Sequence, residues 1–156
     1  MIEFFGKYPS LILFLHLISV AIWIGGMIVM RFAVHYSILK IDEAKVRLER
    51  TLENLKKFFY MVIISIVLIY FSAIVMHISL DLKANSFAIA KEIILLAMTL
   101  IFIFIFIKRH KAEKYFKKNE FVLTKKTLEP ISKYLIPMNI FLGLIEIYLG
   151  IVLRGF

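Results

Sequence analysis

Four apolar blocks dominate the chain. They run Leu11–Met30, Phe58–Leu80, Phe87–Ile107 and Tyr134–Leu153, and polar residues are rare inside each. A helix rises about 1.5 Å per residue and a bilayer core is about 30 Å thick, so each block is long enough to cross a membrane as a helix. No stretch alternates apolar and polar positions as a half-buried strand would, and a bilayer admits only helices or closed barrels. The pattern predicts an all-α integral membrane four-helix bundle forming one domain, with spans at about residues 10–37, 57–80, 87–109 and 131–154. No small-residue cleavage site follows the first block, which predicts a retained span rather than a removed signal.

The segments between the blocks carry the charge. Arg31–Lys57 holds seven Lys and Arg and Lys108–Lys133 holds nine, leaving only Lys7, Lys83, Lys91 and Arg154 elsewhere. The positive-inside rule then places both basic loops in the cytoplasm and both chain ends outside, in a multi-pass protein of the cell's inner membrane. The net charge of +9 is explained by topology rather than by nucleic acid, because the cations flank apolar blocks. The helices are expected to extend into the cytoplasm. Asp42 caps a helix starting at Glu43 and entering the second span, and Lys108–Lys118 prolongs the third, with Asn119 as its C-cap. Pro130 suits the first turn of helix four, and Pro137 a kink within it. Asp81–Ser86 reads as a hairpin loop, with Asn85 or Ser86 capping helix three.

Composition adds little: 62% of residues are hydrophobic, against about 45–50% in soluble domains. The absence of cysteine removes disulfides, thiolate metal sites and c-type haem attachment.

The candidate chemistry lies in four histidines. His16 and His77 fall at similar depth near the outer surface, on antiparallel helices expected to be neighbours. His35 and His110 fall together near the inner surface. His16 and His35 are about 28 Å apart along one helix, too far for a single ligand set. Two imidazoles facing each other across a bundle are what six-coordinate haem b requires. The residues therefore point to an outer haem on His16 and His77 and a second, inner haem on His35 and His110. The plainer alternative is a set of intramembrane polar groups bonded to backbone or to a serine, Ser19 being one turn from His16. Trp23, Gly25 and Gly26 follow His16, Tyr70 and Ala73 precede His77, and all suit a flat macrocycle or close helix packing alike. Arg31 can bind haem propionates or anchor the inner interface. Lys91 and Glu146 reach compatible depths from helices three and four. Charges in a bilayer are expensive unless adjacent, so the two are expected to pair, fixing propionates or relaying protons beside the outer haem. Lys91 and Glu92 can also snorkel to the interface.

The stretch from Leu15 through His16 to Trp23-Ile24-Gly25-Gly26-Met27 resembles a motif of a broad group of four-helix membrane proteins. In that group a histidine is followed seven residues later by Trp-x-Gly-Gly. It includes the J-type bacterial protoporphyrinogen IX oxidases and the copper-resistance D-type proteins. Met138-Asn139-x-x-Leu142-Gly143-Leu144 looks similar to the fourth helix of the same group. The resemblance implies that His16 binds haem and that Lys91 is a functional lysine of helix three. Where the oxidases carry Pro-Arg at the end of helix one, this chain has Met30-Arg31.

The leading expectation is a b-type cytochrome with one or two haems, passing electrons within or across the membrane to quinone or a redox partner. The alternatives are a protoporphyrinogen IX oxidase and a copper permease using His16 and intramembrane methionines, although Met27, Met30, Met61, Met76, Met98 and Met138 form no paired motif. A homo-oligomer is expected, with Gly143, Gly150 and Ala21 as close-packing positions. The topology is directly testable. Reporter fusions at Lys45 and Lys118 should read as cytoplasmic and a fusion at Lys83 as external; a cytoplasmic Lys83 would reverse the orientation.

Overall fold

The computed structural model describes residues 8–80 and 86–153. The four blocks form four long helices: α1 Pro9–Leu39, α2 Ala44–Leu80, α3 Ser86–Lys117 and α4 Phe121–Val152. Each is apolar enough to cross a membrane, and no strand occurs among the described residues. The chain is thus an all-α, multi-pass membrane protein. The expected Asp81–Asn85 part of the hairpin, with its Asn85 cap, lies outside the described residues, and α3 starts at Ser86.

The helices outlast the bilayer. At 1.5 Å per residue α2 is about 55 Å long, nearly twice the hydrocarbon thickness. The excess of α2, α3 and α4 lies at the basic end. The first helical bond of α2 runs from the Arg47 N–H to the Glu43 carbonyl, one residue later than a helix starting at Glu43 would place it. Asn119 ends α3 in the left-handed conformation, φ 62°. The Asn119 N–H bonds to Phe116 O and the Glu120 N–H to Tyr115 O, the paired closure of a Schellman motif.

Pro130 departs from expectation. Helix four begins at Phe121, not at Pro130, because Thr124 and Leu128 give the preceding turns a buried face. Pro130 and Pro137 each lack an N–H, so each removes one i→i−4 bond. Between them Ile131–Leu135 adopts a π-turn, which lets the helix continue past both. Helix α1 contains two further π-turns, Ala21–Gly25 and Met30–Val34.

Neighbours in sequence pack side by side, α1 on α2, α2 on α3 and α3 on α4, and α1 meets α4 at mid-bundle. The core centres on Trp23, Phe59, Met98 and Phe102, all buried. The Phe102 ring receives Trp23 at 6.3 Å and Phe59 at 5.3 Å, both nearly edge-on, the arrangement aromatic quadrupoles favour. Two glycines let the helices approach. A Cβ on Gly143 would come within 2.7 Å of Ile24 Cδ1, and one on Gly26 would strike the Phe58 ring. Gly143 is therefore spent inside the chain and does not offer the intermolecular face expected of it; Ala21 remains exposed.

At the basic end Arg109 is 6% exposed. Its Nη2 donates to Leu52 O at 3.1 Å and its Nη1 to Glu113 Oε2 at 2.6 Å. This guanidinium, set within the Lys108–Lys111 basic flank, fastens α3 to α2. His110, one position on, points away.

The adjacent glycines give a sharp contrast. A methyl group added at Gly25 would meet nothing within 4 Å, so Gly25→Ala should be neutral or stabilising by roughly 0.5–1 kcal/mol through reduced chain entropy. Gly26→Ala should destabilise by about 1–3 kcal/mol through overpacking against Phe58. Unfolding titrations in detergent distinguish the two; equal behaviour would mean that α1 and α2 do not approach at Gly26.

Candidate functional site

A common level fixes the depth of every polar group. Gly143 touches Ile24 and Met98, and Asn139 Nδ2 lies 3.4 Å from Met98 O. His16 precedes Ile24 by eight residues and Lys91 precedes Met98 by seven, which lifts both about 10–12 Å toward the end opposite the basic loops. Glu146 and Gly150 rise toward the same end from Gly143. His16, Lys91 and Glu146, with their neighbours on α2 and α3, therefore lie toward that end.

His16 is held by a serine. Its Nδ1 lies 2.8 Å from Ser72 Oγ on α2. Ser72 is fully buried, and its Oγ is 2.7 Å from Leu68 O. A hydroxyl has one proton. Both contacts are satisfied when Ser72 donates to Leu68 O and the His16 Nδ1–H donates to Ser72. In the neutral ring this leaves the lone pair on Nε2, the arrangement found in metal-binding histidines whose other nitrogen is tied down. Ser19, the nearer serine in sequence, donates instead to Leu15 O at 2.7 Å.

His77 does not face His16. Its Nδ1 lies 2.7 Å from Glu92 Oε1 on α3. His77 follows Ser72 by five residues, about 140° round the helix, so the face of α2 that meets α1 cannot also present His77 there. Glu92, whose side chain is 58% exposed, is thus also a partner of His77. The expected outer pair of imidazoles is replaced by two separate dyads, His16–Ser72 and His77–Glu92.

Lys91 and Glu146 do come together. Lys91 Nζ lies 2.8 Å from Glu146 Oε2 and 3.1 Å from Glu146 O. A Cβ on Gly150 would come within 3.3 Å of this Nζ, so the glycine one turn along makes room for the ammonium group. Gly150, like Gly143, serves the chain itself. Glu146 Oε1 is buried and makes no hydrogen bond among the described residues, which leaves one carboxylate oxygen for a guest or a proton.

The inner candidates separate. His35 lines a cavity of about 550 Å³ at the basic end together with Arg31. His110 is 59% exposed on its side chain and lies 4.0 Å from Glu113. The last turn of α1 packs on α2, so His35 looks toward α2 and α4 while His110 projects from α3. Trp23 is buried, with its Nε1 unbonded among the described residues. Met27 and Met98 belong to the buried core, whereas Met61 and Met138 are exposed. Among the described residues no three His, Asp or Glu side chains gather as a metal-binding group.

A b-type haem would ask for an imidazole with its second nitrogen fixed, apolar walls and polar partners for its propionates. His16, tied to Ser72, would fit the first demand, and Glu146 Oε1 beside Lys91 would be a polar partner toward the same end. A bis-imidazole pair meets no such support, at either end.

Removing one member of the Lys91–Glu146 pair should leave the other uncompensated. Lys91→Met and Glu146→Leu are each expected to destabilise the bundle by about 3 kcal/mol. The double variant Lys91→Met/Glu146→Leu should lose much less than the sum of the two, read from denaturant titrations in detergent. Strict additivity would show that the two charges do not interact. No family model matches the chain, nor does any curated protein or solved structure.

Proposed function

We propose that this chain is a membrane haem protein of the b-type cytochrome class, holding one haem through His16 near the end opposite the basic loops. The observation that carries the reading is the His16–Ser72–Leu68 hydrogen-bond chain. It ties the imidazole down at Nδ1, and with the proton there the ring would offer Nε2 to the iron. The haem would supply one-electron redox chemistry. His16 binds, Ser72 orients, and the buried flank of α1 and α2 around Ile12 and Val75 excludes water. Lys91 and Glu146 hold charge or a proton at the same level, so that a change of charge nearby need not be uncompensated in a low dielectric. The redox partner is a quinone or another membrane electron carrier. A second reading, haem-dependent oxidation of a porphyrinogen, is favoured by one observation: the helix-three lysine is turned inward to Glu146 instead of reaching the surface.

The purified protein, reconstituted with haem, should show a reduced b-type α-band and one haem per chain by pyridine haemochrome assay. His16→Ala should abolish the band. Ser72→Ala should keep it but weaken haem retention by roughly 10–100-fold, the usual effect of removing a group that orients a metal ligand. His77→Ala should leave it unchanged. A His16→Ala protein with the wild-type spectrum would overturn the assignment.

A further inference from the structure

The 550 Å³ cavity at the basic end is unused by the proposed haem site. It lies where α1, α2 and α4 spread apart, at the level where the bilayer gives way to the basic loops. Its walls are divided by chemistry. Met30, Val34, Ile38, Leu55, Ile131 and Ile136 make an apolar surface, and Arg31, Arg47, Lys125 and Lys133 bring four cations against the single carboxylate of Glu129, with His35 beside them. Four cations facing one anion in a concave, half-apolar site call for an anionic ligand with a hydrocarbon part.

Two further observations point the same way. Arg31 Nη1 is buried and makes no hydrogen bond among the described residues, while its guanidinium rests 5.7 Å from the Phe32 ring and 5.6 Å from the Tyr36 ring. A buried guanidinium N–H without an acceptor is costly unless a ligand supplies one. The second concerns the backbone. The π-turns Met30–Val34 and Ile131–Leu135 both contribute residues to this cavity. π-turns are rare and concentrate at functional sites, and here two from different helices border one space.

We infer that this cavity binds one anionic phospholipid of the surrounding leaflet, with its phosphate held by Arg31 and Lys125 and its acyl chains laid along α1 and α4. Free phosphate shares the headgroup chemistry. The apolar wall and the position at the membrane interface favour the lipid, since basic pockets between helices on the cytoplasmic side are lipid-headgroup sites. The assignment stands independently of haem.

Native mass spectrometry of the full chain, released from nanodiscs of mixed phosphatidylglycerol and phosphatidylcholine, tests it. One phosphatidylglycerol per chain should be retained in preference to phosphatidylcholine. Millimolar inorganic phosphate should not displace it. The double variant Arg31→Gln/Lys125→Gln should weaken retention about 30-fold, at one surface cation's worth of attraction per side chain. Lys117→Gln/Lys118→Gln should change nothing. Equal retention of the two lipids by the wild-type protein would overturn the proposal without recourse to any variant. Displacement by inorganic phosphate, or undiminished retention in the Arg31/Lys125 variant, would do the same.

Discussion

A polar side chain inside a bilayer has no water to bond, so it must find its partner within the protein. That constraint organises this bundle. Hydroxyls at Ser19, Ser65 and Thr99 turn back on their own helices, and Tyr70 meets Thr99 across the α2–α3 boundary. The ionisable groups pair between helices: His16 with Ser72, His77 with Glu92, and Lys91 with Glu146. Because these links join α1 to α2, α2 to α3 and α3 to α4, they set the relative rotation of neighbouring helices. Apolar packing alone fixes rotation poorly in lipid, where the outside is as apolar as the inside.

The same logic divides the molecule into two ends of different character. At the end holding His16, Lys91 and Glu146, each charge among the described residues has an opposite or hydrogen-bonding partner. At the basic end the cations outnumber the acids, and one of them, Arg109, is drawn inside to hold α3 on α2. Between the two ends the glycines at 26 and 143 bring backbones close and the aromatic rings at 23, 59 and 102 fill the middle. The redox reading and the lipid reading thus occupy opposite ends of one rigid frame.

Much of this frame is legible in the residues. Block length gives the four helices, and Asn119 marks the end of α3 because only a few residues accept its left-handed backbone. The depth of Lys91 and Glu146 on antiparallel helices, with the expense of leaving either alone, predicts their pairing. What depth does not give is rotation. His16 and His77 share a level, but α2 can turn only one face toward α1, and that face carries Ser72. A wheel drawn from the buried stripe Ile69, Ser72 and Val75 would have found Ser72 and placed His77 elsewhere. The π-turns were illegible for another reason. Each shifts the wheel by part of a turn, so that residues beyond it no longer follow the period set before it. Likewise the sequence within Lys108–Lys111 shows a run of cations and does not reveal that Arg109 alone is buried.

The hydrogen bond between His16 on α1 and Ser72 on α2 holds the imidazole in one orientation and favours its Nδ1-protonated tautomer. Solid-state ¹⁵N NMR of ring-labelled histidine in the bilayer-embedded apoprotein, with His16 assigned by its loss in His16→Ala, reads this directly. The neutral His16 ring should be protonated at Nδ1, with the Nδ1 signal moving in Ser72→Ala. A ring protonated at Nε2 instead, or an Nδ1 signal indifferent to Ser72, would contradict it.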